Sequence, residues 1–217
     1  MVQSVTKSPG VSAKGLAPTG RSQAMETVAT TQEQRLAARL PLVGLLAIQV
    51  FIGYEWFMSG ITKIVRGGFP AGLADELTDK SQGAPGWYAS ILDNVVIPNA
   101  KVFGYLSEIG EVLVGVALIG AAATWWLRWH RLPRPARAAT LGLIVFASLA
   151  GVFMNVNFHL ANGSAHPWLL PGSGFDEGVD LDSLMPAIQL AIAGVAGALL
   201  WQMRTAPETT ETAARRA

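Results

Sequence analysis

Apolar residues fall into four long blocks separated by polar connections. The first runs from about Leu40 to Ile64 and the second from about Val102 to Leu127. The third covers Ala138 to Leu160, and the fourth about Leu184 to Met203. Each is close to the roughly 20 residues a helix needs to cross a hydrocarbon core of about 30 Å. Lipid offers no water to backbone N–H and C=O groups, so runs of this length are expected to be helices, whose backbone bonds are internal. The pattern lacks the alternating strands of an outer-membrane barrel. The expected fold class is all-α, an integral membrane four-helix bundle with two long outer loops.

The flanks differ from the blocks. Residues 1–35 are rich in Ser, Thr, Ala, Gly and Gln and read as a disordered tail. The block behind them is too long for the h-region of a cleaved signal peptide. The expected organisation is a tail over 1–35, a transmembrane domain over 36–204 and a second loose tail over 205–217. Two connections are long for a bundle, about 36 and about 23 residues, and such loops often carry function. In the first, FPAGLADELTDK reads as a short helix starting after Pro70, and Trp87, Tyr88, Ile91 and Val95 as a surface lying on the membrane.

Composition supports the membrane reading. Apolar residues make up 51% of the chain, charged ones only 14%, and mean hydropathy is +0.36; globular chains carry roughly a quarter charged residues. The net charge of +1 gives no pull toward nucleic acid. The absence of cysteine excludes disulfides, thiolate metal sites and thiol nucleophiles, and three histidines leave little for a bis-histidine haem. The charges are strongly segregated. Lys and Arg gather in the N-terminal tail, in the second connection (Arg128, Arg131, Arg134, Arg137) and in the C-terminal tail. The third connection has none, but holds Asp176, Glu177, Asp180 and Asp182. By the positive-inside rule both termini are expected in the cytoplasm of a plasma-membrane protein. Trp125, Trp126, Trp129 and Trp201 then fall at the cytoplasmic interface.

Ionisable groups inside lipid are costly, and each one is a candidate functional residue. The first helix carries Glu55, Ser59 and Lys63 at i, i+4 and i+8, a spacing that follows one face. The second carries Glu108 and Glu111, the third Asn155, Asn157, His159 and Asn162, and the fourth Gln189. With the expected orientation all lie in the outer halves of their helices, Glu55 and Glu111 roughly 12–15 Å below the outer ends. The convergence predicts a polar pocket opening outward, with Tyr54, Trp56 and Phe158 nearby. Glu55, Glu111 and His159 are the candidate proton-transfer groups. Asn155 and Glu108 are expected to bind substrate, with Lys63 and Arg66 at the mouth to attract a small anion. A quinone head group entering from the outer leaflet fits this pattern as a membrane co-substrate, with no need of haem, flavin or metal. The glycines of the second and fourth helices (Gly110, Gly115, Gly120, Gly194, Gly197) are expected to permit close helix contact.

Three stretches resemble the DoxX/DoxD group of small four-helix membrane proteins: GYEWFMSGITKIVRGGFP, EIGEVLVGVALIGAAATWW and NVNFHLANG. The resemblance covers roughly residues 36–204. It implies the activity of thiosulfate:quinone oxidoreductase, in which two thiosulfates couple to tetrathionate as membrane quinone is reduced. By the resemblance Lys63 and Arg66 contact the anion, while Glu55, Glu111, Asn155 and His159 serve quinone and protons. It also implies a second oxidoreductase subunit as partner. The bilayer and a homo-oligomer are the other partners expected, and nucleic acid is not. The competing expectation is a non-catalytic membrane scaffold that docks a redox or sulfur-metabolism protein through its loops.

Overall fold

The computed structural model describes the backbone of residues 20–163 and 181–205 and the side chains of residues 41–163 and 184–205. The chain divides into two compact units, residues 1–43 and residues 44–217, and the bundle belongs to the second. Among the described residues the regular elements are all helical: α1 (Gly20–Arg66), α2 (Phe69–Lys80), α3 (Gly86–Ile91), α4 (Ala100–Arg128), α5 (Arg134–Ala161) and α6 (Leu181–Thr205). Four segments are long and apolar enough to cross a membrane: Pro41–Arg66, Gly86–Arg131, Arg134–Ala161 and Leu184–Thr205. The chain is thus an all-α, multi-pass membrane bundle.

Helix α1 begins at Gly20, so residues 20–35 are helical where a disordered tail was expected. Between Arg21 and Leu40 there is neither Gly nor Pro, and Ala, Gln, Glu, Arg and Leu propagate a helix readily. An adjoining apolar helix also removes the cost of nucleation. Residues 1–19, the acidic stretch around Asp176 and Glu177, and the C-terminal tail from residue 206 lie outside the described residues.

Helix α1 ends where Gly67 and Gly68 take φ of 68° and 82°, a left-handed conformation that glycine adopts at no steric cost. The turn sends the chain into α2, the short helix expected after Pro70. Pro70 sits in its first turn, where the missing N–H would have had no intrahelical partner. A π-turn (Leu92–Val96) and a 3-10 turn (Ile97–Asn99) carry the chain from α3 into α4.

Glycine sets the tightest helix contacts. A methyl group on Gly60 would lie 2.7 Å from the Glu108 carbonyl oxygen, and one on Gly115 would lie 2.5 Å from the Phe57 backbone nitrogen. Helices α1 and α4 therefore touch backbone to backbone. Helix α2 lies against α4 in the same way, with Pro70 Cα 2.5 Å from the Cβ position of Gly104. Among the glycines expected to do this work Gly115 does, Gly110 and Gly197 face the Met154 and Val145 side chains of α5, and Gly120 and Gly194 face open space. The main core packs Ile52 and Trp56 of α1, Leu118 of α4, Leu141 and Ile144 of α5 and Ile192 of α6. A smaller cluster of Leu77, Tyr88 and Leu92 holds the connecting helices together.

At the opposite end of the bundle the Arg-rich connection has structural duties besides charge. Arg137 donates to the Leu132 carbonyl at 2.9 Å, and its guanidinium lies 5.6 Å from the Trp129 ring. Arg134 donates to the Met203 carbonyl, tying α5 to α6. Trp125 and Trp129 stack with ring centroids 3.9 Å apart, while Trp126 and Trp201 stay exposed.

Candidate functional site

Glu111 is fully buried on α4, and the Lys63 ammonium donates to its Oε1. The last turn of α1 brings Lys63 to this place because the Gly60–Glu108 contact lets the two helices approach. A charge in such surroundings is retained only when paired and hydrogen-bonded. Lys63 Nζ also lies 4.9 Å from the Phe69 ring centroid and 5.2 Å from that of Phe158. Both distances suit attraction between a cation and the ring face.

Above the pair is a cavity of about 520 Å³, with Lys63 in its wall. That volume falls within the roughly 300–1,000 Å³ of small-molecule pockets. The wall is built by the ends of α1, α4 and α5 and by α2 and α3. Phe69, Phe103, Phe153 and Phe158 bring four aromatic rings to it, and Leu73, Leu92 and Leu106 add aliphatic surface. Besides Lys63 the wall holds the polar residues Tyr88, Ser107, Asn157 and Asn162. Tyr88 donates its hydroxyl hydrogen toward the Asn157 backbone and side-chain oxygens, both 3.1 Å away. Asn157 in turn donates from Nδ2 to the Phe153 carbonyl at 2.7 Å. The ion pair Lys80–Glu76 (2.7 Å) stands at the edge.

Deeper in the bundle a second polar group forms. Asn155 of α5 donates to Gln189 Oε1 of α6 at 3.0 Å, both buried. The Gln189 amide fits against Gly151, where a Cβ would sit 2.0 Å from Nε2 and 3.1 Å from the Trp56 indole nitrogen. Among the described residues Trp56 Nε1, Gln189 Nε2, Ser148 Oγ and Glu111 Oε2 are buried with no hydrogen-bond partner. All four membrane helices thus contribute polar groups to the interior.

The expected site residues separate into three groups. Lys63 and Glu111 come together, and Lys63 faces the cavity. Glu108, Asn155 and His159 are buried in the bundle, outside the cavity wall. Glu55 and Arg66 do not join the site. Glu55 is exposed on α1 beside Tyr54, and Arg66 is exposed in the last turn. The cause for Glu55 is helical drift: each four-residue step advances a side chain by about 40°, so Glu55 and Lys63 diverge by about 80° over two steps.

Several wall residues carried no sign in the sequence. Tyr88 was expected on the membrane surface together with Trp87, Ile91 and Val95. Those three are exposed, but Tyr88 is buried and lines the cavity. Adjacent helical residues point about 100° apart, so Trp87 and Tyr88 cannot share a face. Phe103 and Phe153 look like any apolar residue of a membrane helix. Asn157 was visible as a polar residue within a span, and its aromatic partner was not. Comparison of the chain with family models, with curated proteins and with solved structures found no match.

Proposed function

We propose that this chain is the membrane subunit of a quinone-linked oxidoreductase of the thiosulfate:quinone type, and that the aromatic cavity takes the quinone ring. The observation that carries this reading is the cavity itself: four phenylalanine rings in a wall that also holds Lys63, whose counter-ion lies buried behind it. A quinone is a flat apolar ring with carbonyl oxygens that accept hydrogen bonds. The rings of Phe69, Phe103, Phe153 and Phe158 suit its faces, and the Lys63 ammonium suits a carbonyl oxygen. Because Glu111 already neutralises Lys63, the site favours a neutral ring over a small anion. Thiosulfate is therefore assigned to the partner subunit.

Two thiosulfates each lose one electron at the partner and join through a new S–S bond to give tetrathionate. The two electrons pass to the quinone, which takes up two protons to become the quinol. Lys63 opposes the negative charge that develops on the carbonyl oxygen, a preorganised electrostatic effect. Glu111, the carboxylate counter-ion that holds Lys63 in place, has no proton to give, so both protons of the quinol are taken up from solvent.

The test is binding of a short-chain quinone analogue to the purified protein in lipid nanodiscs, followed by quenching of tryptophan emission. Phe153→Ala and Tyr88→Phe should weaken binding, with Phe153→Ala the larger effect at roughly tenfold or more, the scale of about 1.4 kcal/mol. Unchanged affinity in both variants would refute the assignment of the ring to this cavity. Binding with no thiosulfate-dependent quinone reduction in membranes that also hold the partner would refute the oxidoreductase and leave a quinone-binding scaffold.

A further inference from the structure

Glu55 has no place in the cavity and stands in an unusual position. It lies near the middle of the membrane-crossing segment Pro41–Arg66, about 16 Å along the helix axis from Arg66. It is exposed, whereas Glu108 and Glu111 of α4 are buried. The residues exposed around it are those of a lipid-facing surface, with Phe51 73% and Tyr54 55% accessible. A carboxyl group facing hydrocarbon is costly, and such groups face a protein neighbour or a water-filled space instead.

The rest of this face is shaped for a helix. At about 100° per residue, Gly44, Ala47, Ile48, Phe51, Glu55 and Met58 form one stripe along α1. All are exposed, and a methyl group on Gly44 would meet no atom within 4 Å. Small residues let membrane helices approach, and polar side chains hydrogen-bond across the contact. Tyr54 and Glu55 lie on opposite edges of the stripe, with Phe51 between them.

We propose that this face of α1 is the contact between two copies of the chain, with Glu55 of each copy hydrogen-bonded to its counterpart's Tyr54 or Glu55. The face is complementary to itself, which selects a second copy as its occupant. A two-fold axis along the membrane normal brings equal depths together and sets the hydroxyl edge of one helix against the carboxyl edge of the other. The Tyr54 hydroxyl donates and the Glu55 carboxyl accepts, so the same pair of residues satisfies itself when repeated. A foreign helix would instead need its own donor at that depth. The inference rests on α1 alone and stands or falls independently of the quinone reading.

The absence of cysteine makes the test direct. Phe51→Cys and, separately, Ile48→Cys are expressed at native level and oxidised in intact membranes. Both should give a disulfide-linked species of twice the chain mass, and Phe146→Cys on the exposed face of α5 should not. In the Phe51→Cys background, Glu55→Leu should lower the dimerisation constant by roughly three- to twentyfold, the range of hydrogen bonds between membrane helices. Glu55→Gln should lower it less. Monomer from both α1 cysteines, cross-linking as strong through Phe146→Cys, a linked species of another mass, or no effect of Glu55→Leu would each overturn the proposal.

Discussion

At the scale of single residues the Lys63–Glu111 pair dominates. Glu111 has no exposed surface, and Lys63 is its one bonded partner among the described residues. Lys63 is part-buried and Glu111 fully buried, so removing the lysine strands a buried carboxylate, at a cost of up to about 3–5 kcal/mol. Replacing both with apolar groups of similar size is often neutral or better. Lys63→Met should therefore lower the unfolding temperature in detergent markedly, and Lys63→Met combined with Glu111→Leu should restore most of it. A double variant as unstable as the single one would mean that the pair is not what holds these positions. Glu111 was legible in the sequence because a carboxyl group within an apolar helix has few explanations. Its partner was legible only as a residue near the same depth. Glu55 misled because an i, i+4, i+8 series looks like a straight line and is a slow spiral.

At the scale of elements the close approach of α1 to α4 is the decisive feature. It rests on Gly60 and Gly115, whose Cβ positions are occupied by backbone atoms of the facing helix. Backbone cannot rotate away as a side chain can. Gly115→Ala should push the helices apart at a cost of about 1–3 kcal/mol. Gly120 has no neighbour within 4 Å, so Gly120→Ala should leave stability unchanged or raise it, since alanine is the better helix former. Thermal unfolding of the two variants checks this, and equal losses would contradict the contact. The four spans were legible because lipid forces a long apolar run to be helical. Which glycines serve as contacts was not, since that depends on helix rotation. Hydrophobicity all round a membrane helix leaves rotation unmarked.

At the scale of the molecule the cavity arises where membrane helices end and the connecting helices cover them. Its roof was partly visible, in the short helix after Pro70 and in the aromatic residues that follow. Of its walls Lys63 and Phe158 were visible too, but Phe69, Phe103 and Phe153 were not, because they come from separate elements and only packing brings them together. The same packing leaves two surfaces with distinct demands: an aromatic chamber around Lys63, and an exposed stripe on α1 around Glu55. The first suits a flat ring from the membrane and the second a copy of the same helix. Photolabelling reads the position of the ring in the chamber. An azido-quinone, activated with the protein in lipid and mapped by mass spectrometry, should attach to peptides holding Phe103, Phe153 or Phe158. Excess unlabelled quinone should compete it away. Attachment confined to the exposed stripe of α1, or insensitive to competition, would mean that the chamber does not hold the ring.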